Sequence, residues 1–192
     1  MGSEESNQGS TPWDTGKPQP VVIELERSGS IQGSVLDIGC STGENALYLA
    51  SKGYRVTGID SSPTAIAKAL LKASRMNLKV RFIIFDSLQL KYLGMEFDTI
   101  IDCGLFHLFT DETRTMLVQS LKQVLRPGGY YHLLCFSEGD YGGSGPKRFT
   151  KGEIYYYFSD GWEIESISKK KFETNYGKGW NWAWFASILK LP

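Results

Sequence analysis

Short apolar runs and amphipathic stretches alternate along the first two thirds of the chain. Val21–Arg27 has the spacing of a short helix. Val35-Leu36 then leads into Asp37 and a turn of small residues, Gly39-Cys-Ser-Thr-Gly43, and Asn45–Ala50 after it again has helical spacing. Tyr54–Asp60 predicts a second strand. Ser62-Pro63 supplies an N-cap followed by proline at the first helical position. The helix beyond carries Ile66, Leu70 and Ala73 on one face, with Ala67 and Leu71 beside them. Val80–Ile84 is apolar enough for a strand buried on both faces of a parallel sheet. Leu88–Gly94 has room for a short helix. Phe97–Asp102 predicts a fourth strand, and Thr110 caps a helix with Leu117, Leu121 and Val124 at core spacing. Arg126-Pro-Gly-Gly129 breaks that helix before a fifth strand at Tyr130–Phe136.

The last third differs. Ser137–Arg148 holds four glycines and a proline and predicts no regular element. Phe149–Phe158 reads as a helix, Trp162–Ser168 as a half-exposed strand, Lys169-Lys-Lys171 as solvated surface, and Trp180–Leu189 as a last strand. Trp180, Trp182 and Trp184 share one face of it, where packing against a helix accounts for them. Strand and helix therefore alternate up to the fifth strand, which predicts a parallel sheet with helices on both faces. The two final strands, with no helix between them, predict an antiparallel hairpin, a departure from the dinucleotide fold.

Composition narrows the setting. The chain has 192 residues, 41% hydrophobic and 22% charged, with zero formal net charge. It suits a single domain over residues 11–192, preceded by a polar, acidic leader over residues 1–10 that reads as disordered. The charge balance gives no basic surface for nucleic acid, and the apolar runs fall short of the ~20 residues of a membrane helix. Cys40, Cys103 and Cys135 show no metal spacing, and with two histidines besides they predict no metal centre; reduced thiols suit the cytoplasm.

In open parallel sheets ligands bind past the carboxyl ends of the strands. The residues there are the Gly39–Gly43 turn, Asp60, Asp86 with Ser87, Asp102–His107 and Ser137–Tyr141. Asp60 lies about twenty residues past the turn, where a carboxylate accepts hydrogen bonds from ribose hydroxyls; capping of the next helix is its bland role, which Ser61 and Ser62 can already fill. Asp86 could accept from an adenine amino group or merely form a turn. The turn matches neither G-x-G-x-x-G nor a P-loop. Asp37 would be unwelcome beside phosphates but suits a ligand with an amino group and a positive sulfur.

Taken in order, Asp37-Ile-Gly39-Cys-Ser-Thr-Gly43, Asp60, Asp86-Ser87 and Arg126-Pro-Gly-Gly129 resemble the successive motifs of class I S-adenosylmethionine-dependent methyltransferases, with Ser41 in place of the usual middle glycine. The resemblance spans residues 34–137 and, through the closing hairpin, most of the chain. It implies a Rossmann-like α/β three-layer sandwich around a seven-stranded, mostly parallel sheet of order 3-2-1-4-5-7-6, strand seven antiparallel. It also implies a cofactor site in which Asp37, Gly39 and Ser41 line the methionine half, Asp60 holds the ribose, and Asp86 with Ser87 frames the adenine. Cys40, Gly43, Ser61 and Asp102 flank these positions as further candidate cofactor contacts. Pro12–Pro20 together with Gly104-Leu-Phe-His107 is similar to the small thiopurine, halide/thiol and heterocyclic-toxicant methyltransferases, which implies that Trp13 and Gly16 lie near the cofactor and that the acceptor is a small molecule.

Methyl transfer is an in-line displacement that asks mainly for alignment and a dry pocket. Trp13, Phe106 and Tyr141 are the candidate aromatic wall, through cation–π contact; Trp13 could equally plug a gap against the core. His107 is the best-placed general base, needed only for a hydroxyl or a protonated nitrogen acceptor; its bland role is a hydrogen bond to backbone. Two other readings are a non-catalytic sensor of S-adenosylmethionine or its product, and a nicotinamide oxidoreductase, which the glycine spacing opposes.

Overall fold

Among the described residues five α-helices and seven strands follow one another in the alternation expected from the sequence. The computed structural model describes residues 13–139, 146–175 and 180–192; the leader over residues 1–10 and Tyr141 lie outside them. Helix α1 spans Pro20–Arg27, β1 Ser34–Ile38, α2 Glu44–Ser51, β2 Arg55–Asp60, α3 Pro63–Arg75, β3 Arg81–Ile84 and β4 Phe97–Cys103. They are followed by α4 at Asp111–Lys122, β5 at Leu125–Phe136, α5 at Lys151–Tyr157, β6 at Trp162–Glu173 and β7 at Trp180–Lys190. Short 3-10 turns occupy Ser87–Leu93 and Phe106–Leu108.

The strands form one seven-stranded sheet of order β3-β2-β1-β4-β5-β7-β6. β1 pairs in parallel with β2 and β4, β2 with β3, and β4 with β5, while β7 runs antiparallel to both β5 and β6. β1 is buried along its whole length, as a central strand covered on both faces must be. Its alternating side chains feed two cores. Leu36 and Ile38 meet Ile100, Leu117, Leu121 and Tyr131 on the face covered by α4 and α5. Val35 meets Val22, Leu47, Ile66 and Ile101 on the face covered by α1, α2 and α3.

Helix boundaries follow the local chemistry. Ser62 Oγ accepts from the Ala65 N–H at 3.2 Å ahead of Pro63. Thr110 and Thr113 form a reciprocal capping box on α4, and Thr150 with Glu153 forms another on α5. Arg126–Gly129 ends the α4 region as expected, but inside β5, where the pairing with β4 shifts between Phe97↔Leu125 and Thr99↔Tyr130.

Several expectations change. α3 buries Ile66, Ala69 and Ala73, whereas Leu70 and Leu71 are exposed; the helix covers the outer end of the sheet, so its buried stripe is narrow. β3 is the edge strand and not a doubly buried one, with Ile84 exposed. The lysine run belongs to β6, which continues to Glu173; Lys169 and Lys171 are exposed there. Trp184 is buried against α5 neighbours, but Trp182 on the same face is exposed; the Trp180 side chain lies outside the described ones. Among the described residues no helix is long and apolar enough to cross a membrane.

Candidate active site

The carboxyl ends of β1, β2 and β4 bring Asp37, Asp60 and Asp102 together beneath the glycine turn. Asp37 is 1% exposed and its Oδ2 has no hydrogen-bond partner. A buried, unpartnered carboxylate oxygen is costly. Burial raises its pKa to about 8, opposed by the Ala46 N–H and reinforced by Asp102, Asp60 and Glu44. Such an atom fits a cationic ligand group, and the ammonium and sulfonium of S-adenosylmethionine are of that kind.

The turn is shaped for close approach. Gly43 caps α2 with φ +90°, and a Cβ there would lie 2.7 Å from Phe82 Cζ and 3.0 Å from Ala69 Cβ. A Cβ on Gly39 would meet Leu105 Cβ at 3.0 Å. Gly43 at the N-cap of α2 has no side chain to cap it, and the Ala46 N–H of the first turn is directed at Asp37. Ser41 takes φ +49°, the left-handed conformation that glycine adopts without strain. Its N–H donates to Asp60 Oδ2 at 2.9 Å, while Asp60 Oδ1 accepts from the Ser62 N–H at 2.8 Å. Asp60 thus fixes the turn and the start of α3, and each of its oxygens keeps a lone pair for a further donor. Cys40 is buried with its Sγ 3.8 Å from the Ser41 carbonyl oxygen. Ser61 is exposed beside Asp60.

Asp86 is exposed and forms the turn the sequence allowed for: its Oδ1 accepts from the Leu88 N–H at 2.9 Å. Ser87 is buried next to it. On the opposite side, Trp13 is 45% exposed, so it does not plug the core. Gly16 follows in the same segment with φ +70°. That segment is fastened to the turn by residues the sequence reading missed. Thr42 Oγ1 lies 2.9 Å from Asp14 Oδ1, and the Gln19 N–H donates to Asn45 Oδ1 at 2.9 Å. The Gln19 side-chain amide also bonds the backbone of Glu173, Nε2 donating to its carbonyl and Oε1 accepting from its N–H, each at 3.0 Å. The one local signal was Asp14 beside Trp13; the partners lie far away in sequence.

Three candidates take other roles. Asp102 is fully buried and engaged on both oxygens: Oδ1 accepts from the Leu105 N–H at 2.8 Å, and Oδ2 from the Phe106 N–H at 3.1 Å and the Tyr131 hydroxyl at 2.8 Å. It anchors the turn after β4. Burial raises its pKa to about 6 against these donors. Phe106 is not an aromatic wall; that turn points it into the core, with its ring 5.2 Å from Phe149 and 5.5 Å from Tyr157. His107 is not a free base. It is buried, stacks on Phe136 at 4.3 Å, and its Nδ1 accepts from the Phe136 N–H at 3.3 Å. Burial lowers its pKa to about 3, with Arg148 and Arg114 adding to the effect. Among the described residues no group of three or more His, Cys, Asp or Glu side chains could hold a metal ion.

The family profile of a methyltransferase domain matches residues 35–129, from β1 to the glycines inside β5. The chain is 34% identical over 167 residues to the 2-heptyl-1-hydroxyquinolin-4(1H)-one methyltransferase of Mycobacteroides abscessus, a match covering 85% of this chain and 74% of that protein. It is 33% identical over 147 residues to "Probable thiol methyltransferase 2" of Arabidopsis thaliana, covering 76% of this chain and 65% of that one. A solved structure concerned with the conversion of a disulfide bond into a thioacetal group during echinomycin biosynthesis superposes with a TM-score of 0.86 at 35% identity, covering 94% of this chain and 85% of its own. The carboxylates gathered at the strand ends beside the start of α2, the sheet closed by an antiparallel β7 and these relatives converge: the chain belongs to the class I S-adenosylmethionine-dependent methyltransferases, with S-adenosylmethionine as its cofactor and a small molecule as its acceptor.

Proposed function

We propose that the chain methylates an acidic heteroatom, a thiol sulfur or the oxygen of a hydroxylated heterocycle, which arrives at the cofactor already ionised. The carrying observation is the state of His107, whose Nδ1 is taken by the Phe136 N–H and whose burial holds it neutral. A group that resists protonation down to about pH 3 is a weak acceptor for a substrate proton. Thiols ionise near pH 8.5 without help, and the names of two relatives, a hydroxyquinolinone and a thiol methyltransferase, fit acceptors of this kind.

The bound cofactor supplies an electrophilic methyl on a positive sulfur. The chain supplies position and charge. Asp37 would hold the ammonium; the Gly39–Gly43 turn, with Cys40 and Ser41, would border the methionine half; Asp60, beside Ser61, would take the ribose hydroxyls; and Asp86 with Ser87 would border the adenine. Trp13 and Gly16 would close the site from the amino-terminal segment. Three free cysteines suit a reducing, cytoplasmic setting, and zero net charge favours small molecules over nucleic acid as substrates.

The test is a screen with labelled cofactor over thiols, hydroxylated heterocycles, phenols, halides and N-heterocycles, followed by pH–rate profiles for two accepted substrates of different pKa. The inflection is expected to move with the acceptor and to persist in His107→Asn. An inflection fixed across acceptors and lost in that variant would make His107 the base.

A further inference from the structure

Beside the glycine turn, side chains from two separate parts of the chain converge on one lysine from a third. Lys72, on α3, donates from Nζ to Thr42 Oγ1 at 2.7 Å and to Glu44 Oε1, and stands 3.8 Å from Asp14 Oδ1. Thr42 Oγ1 is also 2.9 Å from Asp14 Oδ1 and 2.8 Å from Glu44 Oε2. A hydroxyl has one proton to give. It can serve only one of the two carboxylates, so the other is held by the ammonium charge. Both acids are mostly covered, with side chains 16% and 15% exposed. Without the lysine their mutual repulsion would be poorly screened.

We propose that Lys72 is a positioning residue for the cofactor, holding Asp14 and Glu44 together at Thr42 so that the Trp13–Lys17 segment stays fastened to the glycine turn while the cofactor is bound. The proposal rests on the assignment of that turn as the S-adenosylmethionine site. The other attachments of the segment do not involve Lys72. Gln19 bonds to Asn45 and Glu173, Lys17 pairs with Glu173 at 2.6 Å, and Asn175 Nδ2 donates to the Asp14 carbonyl at 2.6 Å. Loss of Lys72 therefore frees the Asp14 side chain from the turn and leaves α1 docked. The cofactor is then expected to dissociate faster, with little change in its rate of entry.

The experiment titrates the full chain with S-adenosylmethionine by calorimetry and measures dissociation by stopped-flow displacement. The variants are Lys72→Met, Lys72→Arg, Thr42→Val and the double Lys72→Met/Glu44→Gln. Hydrogen exchange is read over residues 13–22 and over α3. Lys72→Met is expected to weaken binding about tenfold, chiefly through dissociation, and to raise exchange in residues 13–17 while α3 stays protected. Lys72→Arg restores most of the affinity because it keeps the charge, and removing the Glu44 charge restores part of it. Thr42→Val reproduces the loss and serves where Lys72→Met fails to fold. Binding within twofold of the parent in Lys72→Met and Thr42→Val, or equal losses in Lys72→Met and Lys72→Arg, would overturn the proposal. Failure of the unaltered chain to bind S-adenosylmethionine would instead overturn the assignment of the turn, and the proposal with it.

Discussion

Asp37 holds a proton in the ligand-free protein near neutral pH because it is buried among other acids. Its folded pKa of about 8 stands above the ordinary 3.8, so its contribution to ligand-free stability is complete below pH 3.8 and is lost as pH rises through about 8. Asp102 has the same sign: its contribution is complete below pH 3.8 and is lost as pH rises to about 6. A cationic ligand reverses the preference at Asp37. The thermal shift given by S-adenosylmethionine is therefore expected to grow from pH 5 towards pH 7.5, while the melting temperature of the ligand-free chain falls over the same range. Asp37→Asn should flatten the pH dependence of the shift and weaken cofactor binding on the order of 10- to 100-fold, the scale of a hydrogen bond to a charged group; differential scanning fluorimetry and calorimetry read both. Ser41→Gly tests the left-handed residue of the turn and is expected to stabilise the chain by roughly 0.5–1 kcal/mol, measured by urea unfolding. At this scale the sequence was legible for a residue's position at a strand end, as for Asp37 and Asp60. It misled at Phe106, and at His107 it left a general base and a backbone hydrogen bond side by side, of which the structure has the second, because whether a loop side chain faces ligand or core depends on distant partners such as Phe136 and Phe149.

Between elements, the turn after β4 is held from below by Asp102 and from the side by Arg114 of α4. Arg114 is fully buried. Its Nε donates to the Phe106 carbonyl at 3.1 Å, its Nη1 to Asp111 at 2.6 Å and to the Tyr157 hydroxyl at 3.0 Å, and its Nη2 to the Phe109 carbonyl. The guanidinium also lies 4.7 Å from the centre of the Phe149 ring. One side chain thus joins α4, α5 and the turn. Arg114→Met is expected to cost about 2–5 kcal/mol by leaving the Phe106 and Phe109 carbonyls without their buried donor, while Asp111 keeps Lys147 and the Tyr157 hydroxyl. Arg114→Lys should recover only part of this, since an ammonium cannot span the same fork of acceptors; urea unfolding of the three proteins gives the comparison. None of this could be read from the helical periodicity of α4, which marks Leu117 and Leu121 as core but says nothing of a buried arginine. The α3 stripe failed for a related reason. Leu70 and Leu71 look apolar enough for the core, yet the outer end of the sheet offers only the face met by Ile66, Ala69 and Ala73.

For the molecule as a whole, the alternation of strand and helix was sufficient to predict a parallel sheet, and two consecutive strands at the end sufficed for the hairpin. The lateral order came from family resemblance, because periodicity carries no information about which strands are neighbours. Zero net charge likewise hides the gathering of Asp37, Glu44, Asp60 and Asp102 around the carboxyl ends of the central strands. β7 lies between β5 and β6, pairing with β5 from Tyr130↔Leu189 to Phe136↔Ala183. A chain stopped after Glu173 is therefore expected to show no cooperative melting transition and to scatter light on warming, since β6 has lost its neighbour and β5 presents an open edge; calorimetry and light scattering test this together.

The same placement sets an order of events during synthesis. β6 leaves the ribosome before β7 but cannot join the sheet until β7 has been made, so the apolar edge of β5 stays bare while the whole hairpin emerges. For a nascent chain that interval leaves β5 open to mispairing, and a chaperone that shields β5 would act there.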